Sequence, residues 1–309
     1  MSRAPEAHIV FVPGKNPKPP PEAHRRALWR TLVEGVRRAE PDVVPTLQGA
    51  HERFHLAAWN YLFYRRFKDI NRDLPWIDAL IHQHGPTPLD IREARSLAYR
   101  LAWLLFQIAD HLPFLIPLMP AHIRSMARET RRYFVNQYDI ACEVREVLKV
   151  QLRPHLARGD RILLIGHSLG SVIAWDSLWE LSHEEHHPGR IDTFLTLGSP
   201  LGMRYVRRRL RGADRQGAER YPANLRRWVN VAAEGDVVAL VRCFARDFAE
   251  MRELGLVESI EDHCRGIYNH FRNEAGLNVH RSYGYLVNPA VGKVIADWWE
   301  HAGMPGEHR

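Results

Sequence analysis

The sequence predicts an α/β fold: a mostly parallel sheet with helices on both faces and an inserted helical cap. Three observations predict it. Short apolar runs of strand length alternate with stretches of helical period along most of the chain, the pattern of strands joined by crossover helices. One run, Ile162 to Ile165, passes into Gly166-His167-Ser168-Leu169-Gly170 and then into a helix-competent stretch over 172–181. A buried strand, a tight turn and a helix thus follow one another directly. Between residues 61 and 132 the alternation stops, and aromatics, arginines and prolines dominate. The 309 residues suffice for one large core with such an insert. We expect residues 1–60 and 133–309 to build the core and 61–132 the cap.

Taken in order, Ala7-His-Ile-Val-Phe-Val12 reads as the first strand, and the proline-rich loop over 13–21 can be neither helix nor strand. Residues 22–38 form an amphipathic helix with Leu28, Leu32 and Val36 on one face. Residues 54–59 give the next strand. Within the cap, 90–109 can be a helix with Leu97, Leu101, Leu104, Leu105 and Ile108 on its apolar side. The run over 112–120 is broken three times by proline and is too short to span a bilayer. The apolar parts of the cap over 61–132 would line an acyl pocket or touch a membrane surface. Ile140, Val144, Leu148, Leu152 and Leu156 recur every four residues and mark the helix that feeds the central strand. Residues 191–197 and 225–231 read as strands, 237–256 as a helical stretch and 259–280 as a polar connection. Asn288 caps a final helix with Pro289 in its first turn. No internal repeat is visible.

Composition narrows the function classes. A formal net charge of +7 favours anionic surfaces or substrates, but no nucleic-acid motif accompanies it. The run Arg207-Arg208-Arg209-Leu210-Arg211 reads as a solvated face. Cys142, Cys243 and Cys264 are odd in number and widely spaced; no disulfide framework is visible, which suits a reducing cytoplasm. The N-terminal residues carry no signal-peptide core. His183, His186 and His187, with two glutamates between them, lack metalloprotease spacing and read as a solvated loop.

The central turn carries the chemistry. Gly166-His167-Ser168-Leu169-Gly170 fits the G-x-S-x-G nucleophile elbow. The flanking residues must be small or the strand and helix collide, and the strained turn lifts the serine hydroxyl above the sheet. The helix start aims N–H groups at the site, so the Leu169 N–H is a natural oxyanion donor. A second donor would come from the loop after the first strand, where Gly14 admits close approach and the N–H of Lys15 or Asn16 is available. A serine hydroxyl needs a histidine to take its proton and a carboxylate to orient that imidazole. Asp236 follows the 225–231 strand and is the first candidate acid, with Glu234 in the same loop as the second. Asp192 starts a strand, at the wrong end of a parallel sheet. His280, in the loop before the last helices, leads His270 and His263 as the base. His167 is read as a packing residue of the turn.

With these positions in hand, the chain resembles the α/β-hydrolase superfamily, and more narrowly a lipase and esterase branch that includes the DDHD-type phospholipases A1. The resemblance rests on the elbow from Gly166 to Ile173, on Leu197-Gly-Ser-Pro-Leu201, on Asn230 to Asp236 and on His280 to Tyr283. It covers residues 139–299 well and 7–59 weakly, and the cap matches nothing in it. The loop Pro13-Gly14-Lys15-Asn16 departs from the His-Gly of many lipases. The resemblance implies a serine esterase or lipase-like hydrolase that needs no metal or organic cofactor. A thioesterase or amidase with the same residues, and a non-catalytic binding protein on the same fold, are the alternatives.

Overall fold

The computed structural model describes residues 5–118 and 121–301. Residues 1–4 of the N-terminal reading, and 119–120 of the proline-broken run, lie outside them. Six strands form one sheet: β1 (Ala7–Val12), β2 (Phe54–Leu56), β3 (Arg161–His167), β4 (Ile191–Leu197), β5 (Leu225–Val231) and β6 (Ser259–His263), in the order β2-β1-β3-β4-β5-β6. Every pair is parallel. A small antiparallel pair, β7 (Arg272–Asn273) and β8 (Gly276–Leu277), stands apart. The helices of the first half are α1 (Pro21–Ala39), α2 (Val44–Gln48), α3 (Asn60–Tyr64), α4 (Leu74–His82), α5 (Pro88–Ala94), α6 (Leu97–His111) and α7 (Ala121–Val135). Those of the second half are α8 (Ile140–Arg158), α9 (Leu169–His183), α10 (Arg204–Arg207), α11 (Ala249–Glu253), α12 (Ser282–Leu286) and α13 (Pro289–Glu300).

The strands alternate in steps of two and so serve two cores. Val10, Val12, Ile162 and Leu164 face one side, where they meet Val144, Leu148 and Leu152 of α8 and Val172, Ile173 and Trp175 of α9. Ile9, Phe11, Leu163 and Ile165 face the other, against Leu28 and Leu32 of α1 and Val291 and Ile295 of α13. Both faces are buried, which is why β3 reads as an unbroken apolar run. The segment over 61–132 joins both layers: Phe63, Phe106 and Ala109 belong to the first core, and Ile77 and Leu80 to the second. No described helix is long and apolar enough to cross a membrane.

Several expectations are corrected. The strand expected over 54–59 stops at Leu56, because Ala57 and Trp59 turn into α3. The helix expected over 90–109 is two helices separated at Arg95 and Ser96. The stretch over 237–256 is not one helix: it is mostly turns, ending in a 3₁₀ turn over Ala245–Phe248 and the short α11. Side chains of β5 and β6 hold its backbone. Asn230 Nδ2 donates to Arg242 O at 2.8 Å, and Asp262 accepts from the N–H groups of Phe244 and Ala245. Those contacts satisfy groups that a helix would otherwise pair internally. The polar connection over 259–280 contains an edge strand, β6, whose Ser-Ile-Glu-Asp-His sequence is too polar to show as core.

The cysteine expectation is also overturned. Cys243 and Cys264 form a disulfide, with Cα atoms 5.9 Å apart. Parallel pairing brings the end of β6 beside the loop after β5, which no spacing rule could anticipate. Stable disulfides belong to oxidising compartments, so cysteine usage no longer supports a cytoplasmic location. The Arg207–Arg211 face is engaged within the chain: Arg207 pairs with Asp247 at 3.1 Å and Arg211 with Glu180 at 3.1 Å.

Helices α1 and α13 cross at glycines. A Cβ on Gly292 would run into the carbonyl oxygen of Gly35, and one on Gly35 into that of Leu286. This contact seats the C-terminal helices on the sheet. Alanine at an ordinary helix position stabilises by about 1 kcal/mol over glycine. Gly292→Ala should do the opposite and lower stability by about 1–3 kcal/mol through overpacking, read as a fall in the urea midpoint at unchanged slope.

Candidate active site

The parallel register gathers the strand ends. Val12 pairs with Gly166, His167 with Leu197, Leu197 with Val231 and Val231 with His263. The loops after β1, β3, β4 and β5 therefore open on one edge, the usual place for a site in such a sheet. Ser168 sits there at φ 54° and ψ −128°. A non-glycine residue with positive φ is strained and persists only where its surroundings enforce it. The surroundings here are tight. A Cβ on Gly166 would stand 2.7 Å from Ser171 Cα, and one on Gly170 would strike the Val12 carbonyl. The Ser171 hydroxyl donates to Ser168 O at 2.6 Å and meets Ser199 Oγ at 2.7 Å, tying the turn to the Gly198–Leu201 loop.

Three predicted residues meet. His280 Nε2 lies 2.9 Å from Ser168 Oγ, and His280 Nδ1 lies 2.8 Å from Asp236 Oδ2. A carboxylate can only accept, so Nδ1 carries the proton and Nε2 is left to accept from the serine hydroxyl. Asp236 is 2% exposed. Its Oδ2 also accepts from the Tyr285 hydroxyl at 2.6 Å, and its Oδ1 from Val238 N at 2.9 Å. Burial pushes this carboxyl up, but the His280 charge and hydrogen bond, with the Tyr285 and Val238 donors, outweigh it and leave it below its ordinary value. The carboxylate is thus held ionised in a dry place. Burial and the neighbouring Asp236 charge push the Tyr285 phenol far up, so it remains a donor.

The rival candidates are engaged elsewhere. Glu234 pairs with Arg242 at 2.9 Å and accepts from Gly266 N. Asp192 accepts from Ile162 N at the opposite end of the sheet. His263 ends β6, and His270 is buried. His167 does more than pack: its Nε2 donates to His280 O at 2.8 Å and so fixes the loop that carries the imidazole. Burial, then the nearby His280, keeps His167 neutral well below the usual range.

The loop after β1 is clamped from the cap side. Trp59 Nε1 donates to Pro13 O at 2.8 Å, and Asn60 Nδ2 donates to the carbonyls of Gly14 and Asn16. Gly14 packs on the serine itself; a Cβ there would lie 2.8 Å from Ser168 Cβ. Asn16 N donates to the Tyr64 hydroxyl at 2.9 Å, which occupies one of the two proposed donors. Lys15 lines the same pocket as Ser168 and Leu169. The pocket wall is apolar, with Phe106, Ala109, Pro200, Met203, Val206 and Val238 around the hydroxyl. In the segment over 182–187, His183 Nε2 at the end of α9 donates to Tyr221 O, and His187 Nδ1 accepts from Gly189 N.

Chemically, this arrangement can draw the proton from a serine hydroxyl and hold the resulting imidazolium against a fixed carboxylate. Searches against protein-family models, curated proteins and solved structures found no match for the chain.

The sequence reading did not reach Tyr285, Ser199 or the hydrogen bond from His167. Tyr285 carries a weak signal, a hydroxyl among apolar residues of a buried helix, which needs a partner. Gly198 adds a test of this support. Its φ is +54°, and a Cβ would stand 2.7 Å from Asp236 Oδ2 and 3.0 Å from the Tyr285 ring. Gly198→Ala should cut the rate at which a fluorophosphonate labels Ser168 by about tenfold or more, equivalent to about 1.4 kcal/mol or more in the barrier. It should also lower stability by about 1–2 kcal/mol through the left-handed backbone. Unchanged labelling would remove Asp236 from the relay.

Proposed function

We propose that the chain is a serine hydrolase of the α/β-hydrolase type that cleaves carboxylic esters with an apolar acyl part. The observation that carries this reading is the hydrogen-bonded chain Ser168–His280–Asp236 above an apolar pocket. Ser168 Oγ attacks the ester carbonyl while His280 Nε2 takes its proton. Asp236 keeps Nδ1 protonated and stabilises the imidazolium. The Leu169 N–H, at the start of α9, has no partner within its helix and faces the developing oxyanion. Lys15 N is the better second donor, since Asn16 N is taken. His280 then protonates the leaving alcohol. Water, deprotonated by the same imidazole, attacks the acyl-enzyme and frees the acid and Ser168.

The acyl preference follows from the wall of the pocket, which offers methyl, thioether and ring carbon to a chain entering beside Ser168. The outer face of α6 supports an aggregated or membrane-bound substrate. Leu97 is 79% and Leu101 58% exposed, with Leu104 one turn further on, a stripe of apolar side chains facing away from the pocket. The net positive charge would favour an anionic surface.

A fluorophosphonate probe should label the purified chain, and Ser168→Ala should abolish the label. Asp236→Asn should lower kcat on an ester by a factor on the order of 10⁴, the loss seen when this tautomer-setting carboxylate is neutralised in a Ser–His–Asp relay. No label, together with no hydrolysis of acetyl through long-chain esters, would favour a binding protein. In a chain-length series, kcat/KM should rise from acetyl to medium-chain esters by about tenfold or more. Replacing Leu97 and Leu101 with Ser should remove any rate gain on anionic vesicles and leave short-ester hydrolysis unchanged.

A further inference from the structure

At the other end of the sheet, β1, β2 and the turn before β3 bring three histidines together. His8 is the second residue of β1, His55 the middle residue of β2, and His155 lies in the last turn of α8. One potential ligand nitrogen from each falls within 4.8 Å of the others. His8 Nδ1 is 3.1 Å from His55 Nε2, and the rings of His8 and His155 have centroids 3.8 Å apart. Two ligands of a tetrahedral zinc ion, at bonds of about 2.0–2.1 Å, stand about 3.3 Å apart. The first pair is already at that spacing. The half-buried rings of His55 and His155 need only tilt to close the third side.

One carboxylate stands behind two of these imidazoles. Asp160 Oδ2 lies 2.9 Å from His155 Nδ1 and 3.5 Å from His8 Nε2. A proton on each of those nitrogens leaves the opposite nitrogen of each ring, His155 Nε2 and His8 Nδ1, with a free lone pair. A carboxylate behind a ligating histidine is the common outer support of a metal site. His8 is more than nine-tenths buried, and among the described residues its Nε2 has no hydrogen-bond partner at normal distance. The two facing nitrogens, His8 Nδ1 and His55 Nε2, stand at hydrogen-bond distance; moving the His55 proton to its Nδ1 frees both for one cation between them. Arg158 lies on the rim, 2.7 Å from His155 Nδ1 and 2.8 Å from Asp160 Oδ2; it is half-exposed and can leave His155 Nδ1 to Asp160.

We propose that His8, His55 and His155 bind one divalent transition-metal ion of the zinc class, with water as the fourth ligand, at the end of the sheet opposite Ser168. The donor set selects the metal: three imidazoles suit zinc and its neighbours and do not suit magnesium or calcium. Its role is structural, since it ties β1 and β2 to the α8–β3 turn.

The test uses the full chain after dialysis against a chelator. Co²⁺ should bind at one equivalent with the visible absorption of a tetrahedral nitrogen site, and Zn²⁺ should displace it. His55→Ala and His155→Ala should each weaken binding by about 100-fold or more, since ligands matter at least as much as their outer partners. A chain with His186→Ala and His187→Ala should bind as before. If the single variants misfold, imidazole ¹H–¹⁵N spectra of the wild-type chain decide, because Zn²⁺ must then shift three imidazoles that the His186→Ala/His187→Ala chain retains. Absence of saturable binding at one equivalent overturns the proposal. So does binding that survives both single variants, or that the His186→Ala/His187→Ala chain loses.

Discussion

The site depends on one constraint: β3 must run parallel between β1 and β4 and then reverse within a single residue. The register sets Gly166 beside Val12 and His167 beside Leu197, so the chain leaving β3 emerges between two other loops. Ser168 turns at positive φ because α9 starts at once, packed against the Val12 and Pro13 carbonyls through Gly170. The strain at the serine is held by the sheet and by buried contacts on both sides. The same crowding that forbids side chains at 14, 166 and 170 leaves the serine hydroxyl and the first amides of α9 facing an open pocket.

His280, whose imidazole meets Ser168, comes from far along the chain, and its position is set by packing. His280 lies between the small β7–β8 pair and α12. Its carbonyl is held by His167, the carbonyl of Arg281 by Asn269, and Arg281 pairs with Asp73 at 2.5 Å. Behind it, α12 and α13 are seated on α1 by glycine-to-carbonyl contact. Asp236 is supported separately, through Tyr285 on α12, whose oxygen also accepts from Ala233 N at 3.0 Å. One short helix therefore braces both ends of the His280–Asp236 hydrogen bond. A buried charge would be unstable without such donors, and here they are supplied by the element that carries the histidine loop.

The elements legible in the sequence were those whose own residues carry the signal. The apolar run of β3, the four-residue period of α8, the glycines around Ser168 and the Asn288-Pro289 helix start are local facts. Strand ends were enough to choose Asp236 over Asp192. The misreadings share a cause in long-range satisfaction of polar groups. Residues 237–256 look helical by apolar content, but Asn230 and Asp262 capture their backbone. β6 looks like loop because an edge strand can be polar. The Cys243–Cys264 pair and the His8–His55–His155 cluster draw on residues at least 21 positions apart, joined only by parallel pairing.

These last two features illustrate a general consequence of this topology. A parallel sheet collects the starts of its strands at one edge as firmly as it collects their ends at the other. The edge that bears Ser168 gains amide donors from helix starts and loops free to vary. The other edge receives helix C-termini, such as that of α8, together with the polar residues that begin some strands, such as Arg161 and Ser259. His155 and Asp160 come from that junction, and His8 and His55 from the strands beside it. Two of these imidazoles stand only 3.1 Å apart, at an edge that valine or threonine could fill. The arrangement gains a physical reason if the histidines share a cation, because coordination then replaces a single hydrogen bond with a cross-link between segments far apart in the chain.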